Sequence, residues 1–129
     1  MVQTAVAQLT ASVAAHDRGP GEPYTVLELA GEADVTSGEM LYALLEEQIR
    51  KRPGLLVVEL SALVFIDSAA LQVILRASRT LAKDGGQLAL AGPRDVVARV
   101  LEMTGADRLV PVHASVAEAA AARRRPTAS

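Results

Sequence analysis

The chain contains no cysteine and no tryptophan, and its aromatic residues are limited to two tyrosines and one phenylalanine. Without cysteine there can be no disulfide, no thiolate nucleophile and no sulfur-ligated metal. Because aromatics are so few, the core of this 129-residue chain must be built from Leu, Val and Ile. The two histidines, His16 and His113, lie far apart and match no ligand spacing, so we assign no metal and no cofactor.

A strong net charge is also lacking, because 13 basic and 15 acidic residues leave -2 at pH 7. A nearly neutral chain with three aromatics to stack on bases has no general electrostatic surface for nucleic acid. No segment approaches the roughly 20 apolar residues that span a bilayer, and the N-terminus lacks the basic start and long apolar run of a signal peptide. We therefore expect a soluble, cytoplasmic protein that binds neither nucleic acid nor membrane directly.

The length fits one domain, which we predict over residues 1–122. The one basic run, Arg123–Arg125, precedes the sequence PTAS and is typical of a solvated, frayed chain end. We therefore predict a disordered basic tail over residues 123–129.

The hydrophobic pattern predicts an α/β fold in the order strand, strand, helix, and then strand and helix three times. Strands joined through helices run parallel, so we expect a mixed, mainly parallel sheet with an N-terminal antiparallel hairpin and about four helices. The five predicted strands cover residues 2–13, 24–31, 55–60 together with 64–66, 87–92 and 108–113.

Helix boundaries are predicted from capping residues. Thr36 and Glu39 have the spacing of a capping box, and so do Ser115 and Glu118, which would open a last helix reaching to about residue 124. Gly105 can supply the left-handed residue that ends a helix.

The segment VFIDSAALQVIL, residues 64–75, changes from a predicted buried strand to a predicted helix at Asp67 and Ser68. Either side chain can accept a hydrogen bond from the free N–H groups at a helix start, so both are ordinary capping residues. A helix N-terminus also favours a phosphate, because its unpaired N–H groups and the helix dipole attract negative charge. One hydroxyl could therefore serve as both cap and phosphoacceptor.

Enzyme motifs are missing around this junction. Ser68 has no G-x-S-x-G context, so serine hydrolysis is unsupported. A response-regulator receiver would need further acidic residues near its first strand to hold Mg²⁺, whereas Gln8, Thr10 and Ser12 stand there. With no base at a recognisable spacing from Ser68, we predict that the protein is not an enzyme and has no catalytic residues.

Three segments together resemble the STAS domain of bacterial anti-sigma factor antagonists: LAGEADV at residues 29–35, LVFIDSAALQVILRASRTLAKDGGQLALAG at 63–92, and VLEMTGADRLVPV at 100–112. The resemblance covers nearly the whole chain. It implies that an anti-sigma factor, itself a serine kinase, phosphorylates Ser68, and that only the unphosphorylated protein binds this kinase and frees a sigma factor. A PP2C-type phosphatase would restore binding. The partner-binding residues implied by the resemblance are Asp34, Asp67, Ser68, Ala69 and Ala70.

The sequence departs from the family pattern at Ala70, where the family usually has Gly. We expect the added methyl group to lie in the first helical turn, where the kinase must approach. A constitutive interaction or scaffold module without regulated phosphorylation therefore stays open. A module that binds a small ligand also stays open, because the resemblance is to a family in which other STAS domains are credited with such ligands.

Overall fold

A computed structural model describes the backbone of residues 2–6, 8–16 and 23–122. The predicted tail over residues 123–129 lies outside these residues. The strands are β1 (Val2–Val6), β2 (Leu9–His16), β3 (Tyr24–Ala33), β4 (Leu55–Ile66), β5 (Gln87–Ala91) and β6 (Val112–His113). The helices are α1 (Gly38–Arg50), α2 (Ser68–Lys83), α3 (Asp95–Thr104) and α4 (Val116–Ala121), with short 3-10 turns at Val35–Ser37 and Ala106–Arg108.

The six described strands form one sheet in which neighbours in space are also neighbours in sequence. β1, β2 and β3 pair antiparallel, and β3 through β6 pair parallel. The predicted α/β class and the mixed sheet are confirmed. The single strand predicted over residues 2–13 is wrong, because the chain reverses between Val6 and Leu9. That turn contains no Gly, Pro or Asn that could have marked it in the sequence.

Helices cover the two faces of the sheet unequally. α1, α2 and α3 pack on one face around a large aliphatic cluster that includes Leu27, Leu56 and Leu71. The short helix α4 covers part of the other face, where Ala119 packs against Val57. Each fully buried Leu contributes about 2 kcal/mol through loss of apolar surface. The core is therefore aliphatic, as predicted.

Strand β4 is bulged in its second half. Five residues of β3, Glu28–Glu32, lie opposite seven residues of β4, Glu59–Phe65. At the first register shift the backbone N–H of Ser61 donates to Glu59 Oε1 at 2.7 Å. Bulges of this kind bend a strand and redirect its side chains.

The bulges change which side chains are buried at the end of β4. Val64 is 65% exposed and Phe65 is 40% exposed, whereas Ile66 is 1% exposed. The prediction of a buried strand over Val64–Ile66 is therefore wrong for its first two residues. Their apolar character alone predicted burial, but the extra residues in β4 place them outside the core.

Gly105 and Ser115 are confirmed as helix-terminal residues, whereas the predicted end of the last helix at about residue 124 is wrong, because α4 ends at Ala121. Gly105 has a φ of +77° and ends α3. Ser115 accepts a hydrogen bond from the Glu118 N–H at 3.1 Å, although the Glu118 carboxylate reaches the N–H of Ala114 rather than that of Ser115. Of the helices described, not one is both long and apolar enough to cross a lipid bilayer.

Substitution of Gly31 tests how closely the backbone before β2 approaches β3. Its φ is +94°, and an added Cβ would lie 2.0 Å from the Gln8 carbonyl oxygen. We expect Gly31→Ala to lower the free energy of unfolding by about 3 kcal/mol. Gly105→Ala, which has positive φ but open space around it, should cost about 1 kcal/mol. Gly38→Ala, in an open helical position, should stabilise the fold by about 0.5 kcal/mol. Urea unfolding measures all three, and equal effects would contradict this order.

Candidate functional site

The candidate site lies where β3 and β4 end side by side. Ala33 and Ile66, the last residues of these strands, are paired in the sheet. The chain continues from them to Asp34 and Asp67, and the N–H of Asp67 donates to the Ala33 carbonyl at 3.0 Å. The structure therefore brings Asp34 to the same end of the sheet as Asp67 and Ser68.

The Asp67 carboxylate connects two elements of the site. Its Oδ1 accepts from the Ala70 N–H at 2.9 Å and caps the start of α2. Its Oδ2 accepts from the Val35 N–H at 3.1 Å, 32 residues earlier in the chain. One side chain thus satisfies a free donor of the helix and holds the 3-10 turn after β3 against it.

Asp34 organises the 3-10 turn that precedes α1. Its carboxylate accepts from the N–H of Thr36 at 2.9 Å and from the Thr36 hydroxyl, and its own N–H donates to Ser37 Oγ at 3.1 Å. The Thr36 hydroxyl is the main reason that the pKa of Asp34 lies below its ordinary value; desolvation opposes it, and the backbone N–H groups of Thr36 and Ser37 assist. The carboxylate therefore stays ionised at neutral pH.

The predicted capping box of Thr36 and Glu39 is wrong. The reciprocal pair is Asp34 with Ser37, and α1 begins only at Gly38. Thr36 lies inside the 3-10 turn, where its hydroxyl bonds Asp34 instead of reaching forward. The signal that could have been used is the Asp itself, since Asp is a stronger N-cap than Thr.

Ser68 is the first residue of α2 and is exposed. Its hydroxyl makes no hydrogen bond with the residues that the structure describes. The interpretation of this hydroxyl as a cap is therefore wrong, because the Asp67 carboxylate already occupies that role.

The next two residues differ in exposure. Ala69 is exposed, whereas Ala70 is 0% exposed and belongs to the main core cluster. The expectation that the Ala70 methyl faces an approaching kinase is wrong, since the helix turns this side chain inward. The prediction that Ala70 contacts a partner directly is also wrong. Ala70 contributes to the site through its backbone N–H, which donates to Asp67 Oδ1.

Sequence reasoning missed an apolar surface next to these polar groups. Val35, between Asp34 and Thr36, is 72% exposed, and Val64 and Phe65 are exposed two to three residues before Asp67. We call Val35, Val64 and Phe65 the apolar rim. Large apolar side chains exposed at one end of a sheet are typical of a protein contact surface.

The site is built to present a hydroxyl. Both carboxylates are held by backbone or hydroxyl donors, so neither is aimed at Ser68 as a base. Among the described residues, no three His, Asp or Glu side chains are grouped so that they could hold a metal ion. Ser68 therefore presents a solvent-exposed hydroxyl at the start of α2.

Sequence comparison gives the family. A model of the STAS domain matches residues 14–119. The chain belongs to the STAS domain family. This STAS domain is 30% identical over 99 residues to an anti-sigma F factor antagonist of Paenibacillus polymyxa, covering 76% of this chain and 81% of that protein.

Solved structures agree with this assignment. The crystal structure of an anti-sigma factor antagonist from Mycobacterium paratuberculosis superposes with a TM-score of 0.79 at 25% identity, covering 91% of the STAS domain chain and 95% of that protein. The unphosphorylated form of the anti-sigma factor antagonist SpoIIAA has a TM-score of 0.67 at 22% identity, over 84% of this chain and 93% of its own. SpoIIAA thus shares the fold.

The double role of the Asp67 carboxylate can be measured. We expect Asp67→Ala to lower the free energy of unfolding by about 2 to 3 kcal/mol, because two backbone donors lose their acceptor. Asp67→Asn, which keeps one acceptor oxygen, should cost about 1 kcal/mol. Hydrogen exchange of the Val35 and Ala70 amides should accelerate in both variants.

Asp107→Ala, at an exposed carboxylate in a 3-10 turn, is the control and should change stability by less than about 0.5 kcal/mol. Unchanged Val35 exchange in Asp67→Ala would contradict the bridge.

Proposed function

We propose that this STAS domain is an anti-sigma factor antagonist in a partner-switching pathway. Its unphosphorylated form binds an anti-sigma factor that is a serine kinase, and a sigma factor is thereby released. Phosphorylation of Ser68 turns binding off, and a PP2C-type phosphatase turns it on again. Support for the general role comes from the relatives named anti-sigma factor antagonists.

The observation that carries the proposal is that Asp67, and not Ser68, caps the start of α2. The exposed Ser68 hydroxyl next to it makes no hydrogen bond with the described residues. A kinase can therefore modify Ser68 without dismantling the helix start. In the transfer, Ser68 Oγ forms a bond to the terminal phosphorus of ATP, ADP leaves, and the hydroxyl proton is released.

The charge added at Ser68 would act mainly on the partner. A phosphoserine carries about -1.5 to -2 charges at neutral pH, and the N-terminus of α2 offsets part of that charge within the fold. A partner that contacts Asp34, Asp67, Ser68 and Ala69 already faces two carboxylates, and phosphorylation would roughly double the negative charge. The fold tolerates the phosphate while a desolvated interface does not.

The apolar rim supplies the surface for the same partner. Val35 and Phe65 flank the polar residues from two strand ends and expose large side chains. Burying such side chains gives most of the affinity of a protein interface, and surrounding polar groups give its specificity. A SpoIIAA structure has been solved in the phosphorylated form, with a TM-score of 0.61 at 21% identity, over 88% of this chain and 100% of its own.

A constitutive scaffold module was the main alternative, because Ala70 replaces the usual Gly. That argument depended on a methyl group at the surface, and the Ala70 methyl is buried. No observation on the described residues now favours the scaffold over the switch.

Phosphorylation can be tested on the intact protein. Incubation with ATP and the serine-kinase anti-sigma factors of the same genome should add one phosphate, detected by intact-protein mass spectrometry. Ser68→Ala should accept none, because the acceptor oxygen is gone. Ser115→Ala removes another serine at a helix start and should be phosphorylated like the wild type. No phosphate with any of these kinases, or addition that survives Ser68→Ala, would refute the assignment.

Binding can be tested with the same kinase in the absence of ATP. Ser68→Glu should weaken binding by about tenfold or more, because it places a charge in a desolvated contact. Phe65→Ala and Val35→Ala should each weaken it by about tenfold through loss of buried apolar surface. Met103→Ala, on α3 and 78% exposed, is the matched control and should bind normally. Equal affinities across all four variants, measured by calorimetry, would exclude this surface as the interface.

A further inference from the structure

A cavity lies between α1 and α2, away from Ser68. Its volume is 450 Å³, within the range of small-molecule sites. The α2 residues that line it begin at Arg76, about 12 Å along the helix from Ser68, and Asp84 follows the end of the helix. The cavity is therefore separate from the proposed phosphorylation site.

Three arginines line this cavity, and none has an ionic partner among the residues that the structure describes. Arg50 and Arg52 come from the end of α1 and the loop after it, and Arg76 comes from α2. No carboxylate of the described residues forms an ion pair with any of these guanidinium groups. Glu46 and Asp84 also line the cavity, so its charged side chains sum to +1. Guanidinium groups provide paired N–H donors that fit phosphate, sulfonate or carboxylate oxygens.

Arg76 is held in place by an aromatic ring. Its guanidinium carbon lies 5.5 Å from the centroid of the Tyr42 ring, which also lines the cavity. Such stacking reduces the rotamer freedom of the side chain, so less entropy is lost when an anion binds. The same ring offers a flat surface to a ligand.

Arg52 occupies a strained backbone position. Its φ is +54°, directly after the residue that caps the C-terminus of α1, where Gly is usually found. A non-glycine residue pays a conformational cost there. Arg52 thus places a guanidinium at the cavity at the expense of backbone strain that Gly would avoid.

Of the four remaining lining residues three are apolar, and the fourth is Thr80. Leu45 and Ile49 of α1 and Ala77 of α2 line the cavity as buried side chains. An inorganic anion would leave this apolar surface unused, whereas a ligand with an apolar body would cover it.

We propose that the α1–α2 cavity binds a small amphiphilic anion, with a flat apolar body against Tyr42 and the aliphatic floor and a phosphate, sulfonate or carboxylate group at Arg52 and Arg76. This site does not depend on the proposed function at Ser68. The anionic group of the ligand pairs with the arginines, and its apolar body is buried in the cavity.

The probe for this site is 8-anilinonaphthalene-1-sulfonate, which combines a flat apolar body with one anionic group. We expect one molecule to bind per chain, with fluorescence enhancement and with amide shift changes confined to residues 42–52 and 76–84. N-phenyl-1-naphthylamine has the same rings without the sulfonate and should bind at least about tenfold more weakly. Phenyl phosphate should displace the probe at lower concentration than inorganic phosphate does. Equal affinity for the charged and uncharged naphthalenes, or shift changes at Val35 and Phe65 instead, would overturn the proposal.

Variants separate binding from stability. Arg76→Gln should weaken probe binding by about tenfold, whereas Arg79→Gln, an exposed arginine of α2 outside the lining, should not. Arg52→Gly should weaken binding while raising the urea midpoint, because it relieves the positive φ. Ser68→Ala should bind the probe like the wild type, which keeps this result independent of the phosphorylation result. If Arg76→Gln and Arg52→Gly both bind normally, the cavity is not an anion site.

Discussion

The Asp67 carboxylate is the contact on which the site depends. Its two oxygens accept from Ala70 in α2 and from Val35 in the turn after β3, so the start of the helix and the end of the neighbouring strand are fixed together. Because the carboxylate performs the capping, the adjacent Ser68 hydroxyl makes no hydrogen bond with the described residues. A single Asp therefore both builds this end of the sheet and leaves an exposed hydroxyl beside it.

The bulges of β4 give the same end of the sheet its contact surface. A regular strand would alternate its side chains between the two covered faces, but two extra residues between Glu59 and Phe65 break that alternation. The Glu59 side chain satisfies the Ser61 N–H that the first bulge removes from the ladder. This hydrogen bond reduces the free-energy cost of the bulge. The bulges also leave Val64 and Phe65 exposed next to Asp67.

The sequence was sufficient for features set by local pattern and insufficient for those set by pairing between strands. The order of parallel strands and helices follows from hydrophobic periodicity and from the rule that strands joined through helices run parallel, whereas the grouping of Asp34 with Asp67 and Ser68 came from the family resemblance. The β1–β2 turn and the exposure of Val64 and Phe65 do not, because register and bulges depend on the partner strand. The inward direction of Ala70 likewise needed the rotation of α2 against the core.

The two ends of the α1–α2 layer differ in electrostatic character, and this difference argues for two separable activities. At the N-terminal end of α2, backbone N–H groups and the helix dipole lie next to the Asp34 and Asp67 carboxylates and the Ser68 hydroxyl. A phosphate added there would increase the local negative charge. At the other end, the three guanidinium groups that line the cavity form no ion pair with the described residues, and Arg50 lies in the last turn of α1, where the helix dipole favours positive charge. A ligand between the C-terminal halves of α1 and α2 would bridge the helices and leave Ser68 exposed. The proposed phosphate transfer at one end and the proposed anion binding at the other therefore need not compete for the same surface.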